Sequence, residues 1–78
     1  MALIGEIKDV VKTRQQVHGR VDCSASMFED RGERYLQLDT YGSPSRAFAG
    51  KTSQTIQFDR DAAEQMLHRI KRAFPELR

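Results

Sequence analysis

The hydrophobic period of this chain changes once along its length, and that single change limits the fold more than anything else in the sequence. In the stretches Val21 to Phe28, Arg34 to Tyr41 and Thr52 to Phe58 apolar residues recur at every second position, the period of a strand with one buried face; from Asp59 onward they recur every three to four, the period of a helix. A run of strands followed by one helix predicts an α+β domain in which the helix covers one face of a sheet.

The strands can be placed from the alternation. Val21, Cys23, Ala25 and Met27 alternate with Asp22, Ser24, Ser26 and Phe28. Glu29 to Glu33 supplies turn chemistry, and Arg34 to Tyr41 resumes with Leu36, Leu38 and Thr40 on one face and Tyr35, Gln37, Asp39 and Tyr41 on the other. This is a hairpin, with Cys23 expected as a small core residue on the apolar phase. The Gly, Pro and Ser content of Gly42 to Gly50 reads as a loop, and Thr52 to Phe58 as a further strand with Ile56 and Phe58 facing the core. In the last segment Ala63, Met66, Leu67, Ile70 and Phe74 form the expected buried stripe, with Asp59 as N-cap and Pro75 as stop. The amino-terminal third is ambiguous: Ile4, Ile7 and Val11 fit a helix, but the β-branched content of Ile4 to Val11 favours a strand. The expected order is therefore three or four antiparallel strands and one C-terminal amphipathic helix, ββββα, as a single domain over residues 1–78.

Seventy-eight residues make a thin core, and below about 80 residues a single core rarely supplies more than roughly 3 to 5 kcal/mol without disulfides, metal or oligomerisation. Cys23 is the only cysteine, so no intrachain disulfide forms, which fits a reducing, cytoplasmic compartment. His18 and His68 have no paired ligands at zinc spacing, so neither a metal nor another cofactor is expected. Met1 to Ile7 carries Glu6 and no long apolar core, unlike a signal peptide or a membrane span. Oligomerisation is the remaining aid to stability, and a homodimer is expected. No nucleophile–base arrangement emerges. Gly50-Lys51-Thr52 lacks the earlier glycine and the following helix of a phosphate-binding loop, and the chain reads as a binding module rather than an enzyme.

The net charge is only +2, but its distribution is uneven. Val10 to Val21 holds Lys12, Arg14 and Arg20 and no acid; Thr40 to Phe58 holds Arg46 and Lys51 and no acid. Beside these cations, the face turned away from the helix would show Tyr35, Tyr41, Ser53, Gln37, Gln57 and Thr55. Rings that stack on unpaired bases, set among cations and hydroxyls that hold phosphates, are what a single-strand platform needs. The candidate nucleic-acid contacts are therefore Lys12, Arg14, Arg20, Tyr35, Tyr41, Arg46, Lys51 and Ser53. A small protein-interaction accessory subunit, for example of a defence system, is the alternative use of the same face.

The stretch Glu33-Arg34-Tyr35-Leu36-Gln37-Leu38-Asp39-Thr40-Tyr41, the loop ending Gly50-Lys51, then Thr55-Ile56-Gln57-Phe58-Asp59 and the helix resembles the positive-cofactor-four family of single-stranded-DNA-binding transcriptional coactivators. The resemblance covers roughly Arg20 to Ile70. It implies a homodimer whose sheets present a DNA-binding surface, as in the bacterial members, with Tyr41 at the aromatic strand end and Lys51 as the loop lysine. Asp39 stands where that family places a cation, and Thr52-Ser53-Gln54 lengthens the step into the last strand. The Gly-Lys-x-Ser-Gln stretch is also similar to small bacterial proteins labelled methionyl-tRNA formyltransferase-like, although 78 residues leave no room for a folate-binding formyltransferase fold.

Overall fold

A computed structural model of the chain describes residues 1–42 and 51–78. Its elements follow in the order β1 (Ala2–Ile4), β2 (Cys23–Asp30), β3 (Glu33–Tyr41), β4 (Thr52–Phe58) and α1 (Arg60–Ala73). The strands form one open sheet in the order β1-β4-β3-β2, so the fold is α+β, ββββα.

β2 and β3 make the expected hairpin, paired from Cys23 opposite Thr40 to Asp30 opposite Glu33. Its two turn residues, Arg31 and Gly32, have φ of 52° and 82°. Positive φ at both positions is the signature of the primed turn whose twist matches the flanking strands; glycine accepts it freely, while Arg31 carries a steric cost. β4 runs antiparallel to β3 with Leu36 opposite Phe58, and the register shifts between Thr40 and Tyr41.

β1 differs from the expectation in direction and length. It pairs parallel to β4, with Ala2 opposite Ile56 and Ile4 opposite Phe58, so the sheet is mixed rather than wholly antiparallel. No hairpin ties β1 to its neighbour, and its direction is therefore free of that constraint. The strand also stops at Ile4, because the next residues bond to the helix instead. The Ile7 N–H donates to Gln65 Oε1 at 2.9 Å, and Arg69 Nη2 donates to the Ile7 carbonyl at 3.0 Å. Arg69 also grips Asp9 through two bonds of 3.0 and 3.1 Å, and Arg72 adds a third at 2.9 Å. Hydrogen bonding from Arg69 holds the Asp9 carboxyl below its ordinary range; desolvation opposes it, and the Arg72 hydrogen bond and the charges of both arginines add to the lowering. Residues 5–9 thus form a strap along α1. From Val10 to Asp22 the chain is exposed and has no helix or strand.

Residues opposite one another across a ladder share a face. One face therefore carries Ile4, Ala25, Met27, Leu36, Leu38, Ile56 and Phe58, and the other carries Ser24, Ser26, Phe28, Tyr35, Gln37, Asp39, Thr55 and Gln57. α1 packs against β3 and β4. Asp59 caps it by accepting the Ala62 N–H at 2.9 Å, and Lys71 and Arg72 stand in its last turn, where the helix dipole favours positive charge.

A helix is about 10 Å wide, whereas four strands spaced by about 4.8 Å span roughly 15 to 19 Å, so one helix covers about half of the face. Among the described residues only Phe58, at 5% exposure, and Ala62, at 0%, are buried. Over β2 the same face is bare: Met27 is 81% exposed, and Ala25 and Cys23 are exposed too. The expectation that Cys23 belongs to the core is therefore corrected, since the helix does not reach its strand. The helix is also rotated from the expected stripe. Gln65, Met66 and Arg69 are half-buried, while Leu67, Ile70 and Phe74 are exposed. The strap accounts for this rotation, because its peptide groups hold the Gln65 and Arg69 side of α1.

Candidate functional site

The face away from α1 is organised by a row of polar side chains across its two central strands. Gln57 Nε2 donates to Gln37 Oε1 at 2.9 Å, Gln37 Nε2 donates to Asp39 Oδ2 at 2.9 Å, and Thr55 Oγ1 donates to Asp39 Oδ1. An ionised carboxylate only accepts hydrogen bonds, so Gln37 must turn its NH2 towards Asp39 and its carbonyl towards Gln57, which must in turn present its NH2. The carboxylate therefore sets the direction of both amides. The same bonds, Thr55 first and Gln37 second, hold the Asp39 carboxyl below its ordinary range, with desolvation opposing weakly.

Aromatic side chains stand at the two ends of this row. At the hairpin end Phe28 and Tyr35 stack, with ring centroids 5.1 Å apart and planes inclined by 19°. At the other end the Tyr41 hydroxyl shares a 2.9 Å hydrogen bond with Ser24 Oγ. Both tyrosines and the four members of the row are half-buried, because each side chain shields its neighbour on a face that is otherwise open.

The expected contact residues do not all gather here. Tyr35 and Tyr41 lie on this face, and Ser53 is exposed at the register shift, where Thr40 stands opposite Gln54 and Tyr41 opposite Thr52, so the strand alternation does not carry it onto the face. Lys51 is exposed one residue before β4, at the margin near Tyr41. Lys12, Arg14 and Arg20 sit on the exposed segment between β1 and β2 and belong to no strand. Arg46 lies outside the described residues. Within the described strands, this face carries Asp30, Glu33 and Asp39 and no lysine or arginine. The acceptor–donor row of Gln37, Asp39, Thr55 and Gln57 was only half legible. Each strand's alternation places its residues on the face, but nothing local gives the register that puts Gln57 beside Gln37.

Among the described residues no cluster of three or more His, Cys, Asp or Glu could hold a metal ion, and no helix is long and apolar enough to cross a membrane. His18 and His68 are exposed, and Cys23 directs its thiol to the Ser24 carbonyl at 3.6 Å. Comparison with known proteins finds no matching family model, no matching curated protein and no matching solved structure. The positive-cofactor-four resemblance accordingly rests on the residues quoted for it.

Proposed function

We propose that this chain binds single-stranded nucleic acid, DNA in preference to RNA, on its open polar face, and that it does so as a homodimer serving transcription or DNA metabolism in the cytoplasm, without catalysis. The observation that carries the reading is the combination on one uncovered face of aromatic rings at both ends and a hydrogen-bonding row of fixed polarity between them. Unpaired bases offer ring faces for stacking and donor–acceptor edges for pairing, both of which a duplex hides. Asp39 and the lack of cations among the described strand residues of this face also set an orientation. Bases turn inward onto the amides, and phosphates run along the margin, where Lys51 stands.

Titration of labelled single-stranded and duplex oligonucleotides at two salt concentrations tests this. Single strands should bind more tightly and lose affinity with salt, and Lys51→Ala should flatten the slope of log affinity against log salt by about 0.7. Tyr41→Ala should cost roughly 1 to 3 kcal/mol with little change of slope. Equal affinity for duplex, or a Tyr41 variant that binds like the parent, would remove the polar face as the site. The second reading, a protein-interaction accessory subunit, is favoured by the bare apolar surface beside the helix; it predicts a captured protein partner and no oligonucleotide affinity.

A further inference from the structure

Between α1 and the β2–β3 hairpin lies an open groove of about 830 Å3, lined by Met27, Leu36, Phe58 and Ala63 from the helix side of the sheet and also by Phe28 and Tyr35 of the polar face at the hairpin end. A hollow of about 340 Å3 adjoins it at the start of the helix, sharing Glu33, Asp59 and Arg60. Together their walls hold five acids, Glu29, Glu33, Asp59, Asp61 and Glu64, against two cations, Arg34 and Arg60. Leu67 and Ile70 continue the Ala63 stripe along the helix, and both are exposed. The groove is apolar at its base and acidic along its rim.

The chain carries the complement of this surface. Residues 10–21 hold Lys12, Arg14 and Arg20 and no acid. They form no helix or strand, and Val11 and Val17 are 96% and 99% exposed. Valines that touch almost nothing are a cost to an isolated chain, as is an uncovered apolar groove. In its own chain the arm does not meet the groove: none of its residues lines either hollow. Both its ends are tied at the opposite end of the molecule, Asp9 to Arg69 and Arg72 late in the helix and Cys23 opposite Thr40, far from the turn at Gly32. Twelve extended residues reach roughly 40 Å, about twice the length of a 14-residue helix, so an arm from elsewhere can run the full groove.

We propose that the arm 10–21 of one copy seats in the groove of a second copy, and reciprocally, in a two-fold dimer. Val11 and Val17 meet the apolar base, and Lys12 and Arg14 meet the acidic rim. The exchange covers both unpartnered surfaces at once and completes a core that one helix leaves half open. This inference rests on the dimeric state proposed above but not on its ligand, and it assigns Lys12 and Arg14 to the protein interface rather than to phosphate.

Complementary charge reversal tests it by light scattering at micromolar concentration, with circular dichroism to check folding. The parent should scatter as twice the 9.0 kDa chain. A chain with Lys12→Glu and Arg14→Glu should be monomeric, as should a chain with Glu29→Lys and Glu33→Lys, and an equal mixture of the two should restore the dimer. A monomeric parent would overturn the dimer itself. Variants that stay dimeric alone, or a mixture that stays monomeric, would overturn the arm-in-groove contact while leaving the dimer standing. Val11→Ser with Val17→Ser, which changes side chains almost fully exposed in their own chain, should raise the dimer dissociation constant at least tenfold; an unchanged constant would equally overturn the contact.

Discussion

The apolar face of the sheet is one surface with two fates. Over β4 the helix lies on it and Phe58 is buried; over β2, in the same strand phase and with similar residue types, Met27 stands in solvent. The alternation that marks both strands is equally clear, so the difference does not come from the strands. It comes from the width of one helix and from the strap that fixes which side of that helix is held. In a domain this small, periodicity says which face is apolar, and the covering element says which part of that face becomes core.

The largest expected effect tests that contrast directly. Phe58→Ala should destabilise the isolated chain by about 3 to 5 kcal/mol, whereas Met27→Ala should stay within about 0.5 kcal/mol, both read by denaturant unfolding at concentrations too low for self-association. Similar losses at the two positions would mean that the bare half is covered within one chain. Next in size is the cap that starts the covering helix: Asp59→Ala should cost about 1 kcal/mol, and less if the helix were held only by its packing. Leu67→Ala should cost under about 1 kcal/mol in the isolated chain, since a half-exposed side chain leaves no closed cavity. A loss of several kcal/mol there would restore the buried stripe expected from the sequence.

The smallest effect concerns pH. Asp39 has its carboxyl held below the ordinary value of 3.8 by Thr55 and Gln37, and Asp9 is held in the same direction by Arg69 and Arg72. A carboxylate that binds protons less readily when folded contributes stability that is present above its unfolded pKa and is lost as pH falls through its folded value. The melting midpoint should therefore be level near neutrality and decline below about pH 4, with a shallower decline in Asp39→Asn. A midpoint that rises on acidification would contradict both assignments.

Most of the architecture was legible in the sequence because it depends on local pattern. β4 spans the expected Thr52–Phe58, β3 begins one residue early, and Asp59 caps the helix as its side chain allows. β2 starts at Cys23 rather than Val21 and runs to Asp30, because a two-residue turn needs only Arg31 and Gly32 outside the ladder. The strap was not legible. Asp9 and Arg69 lie 60 positions apart, and an ion pair at that separation leaves no local mark. Without it the β-branched run from Ile4 to Val11 reads as a strand, and the helix reads as buried along its most apolar stripe. The polar row was legible as residues but not as a network, since the register between β3 and β4 joins it and alternation alone does not supply a register.

In the proposed arrangement the polar face takes bases and the apolar face takes a second copy. Backbone amide shifts recorded while a short single-stranded oligonucleotide is added to the labelled protein test it most directly. Shifts should concentrate at Ser24, Gln37, Asp39, Tyr41, Thr55 and Gln57, while Ala63 and Leu67 on the helix stay still. Shifts that concentrate along the helix and the groove, with the polar row unmoved, would contradict it.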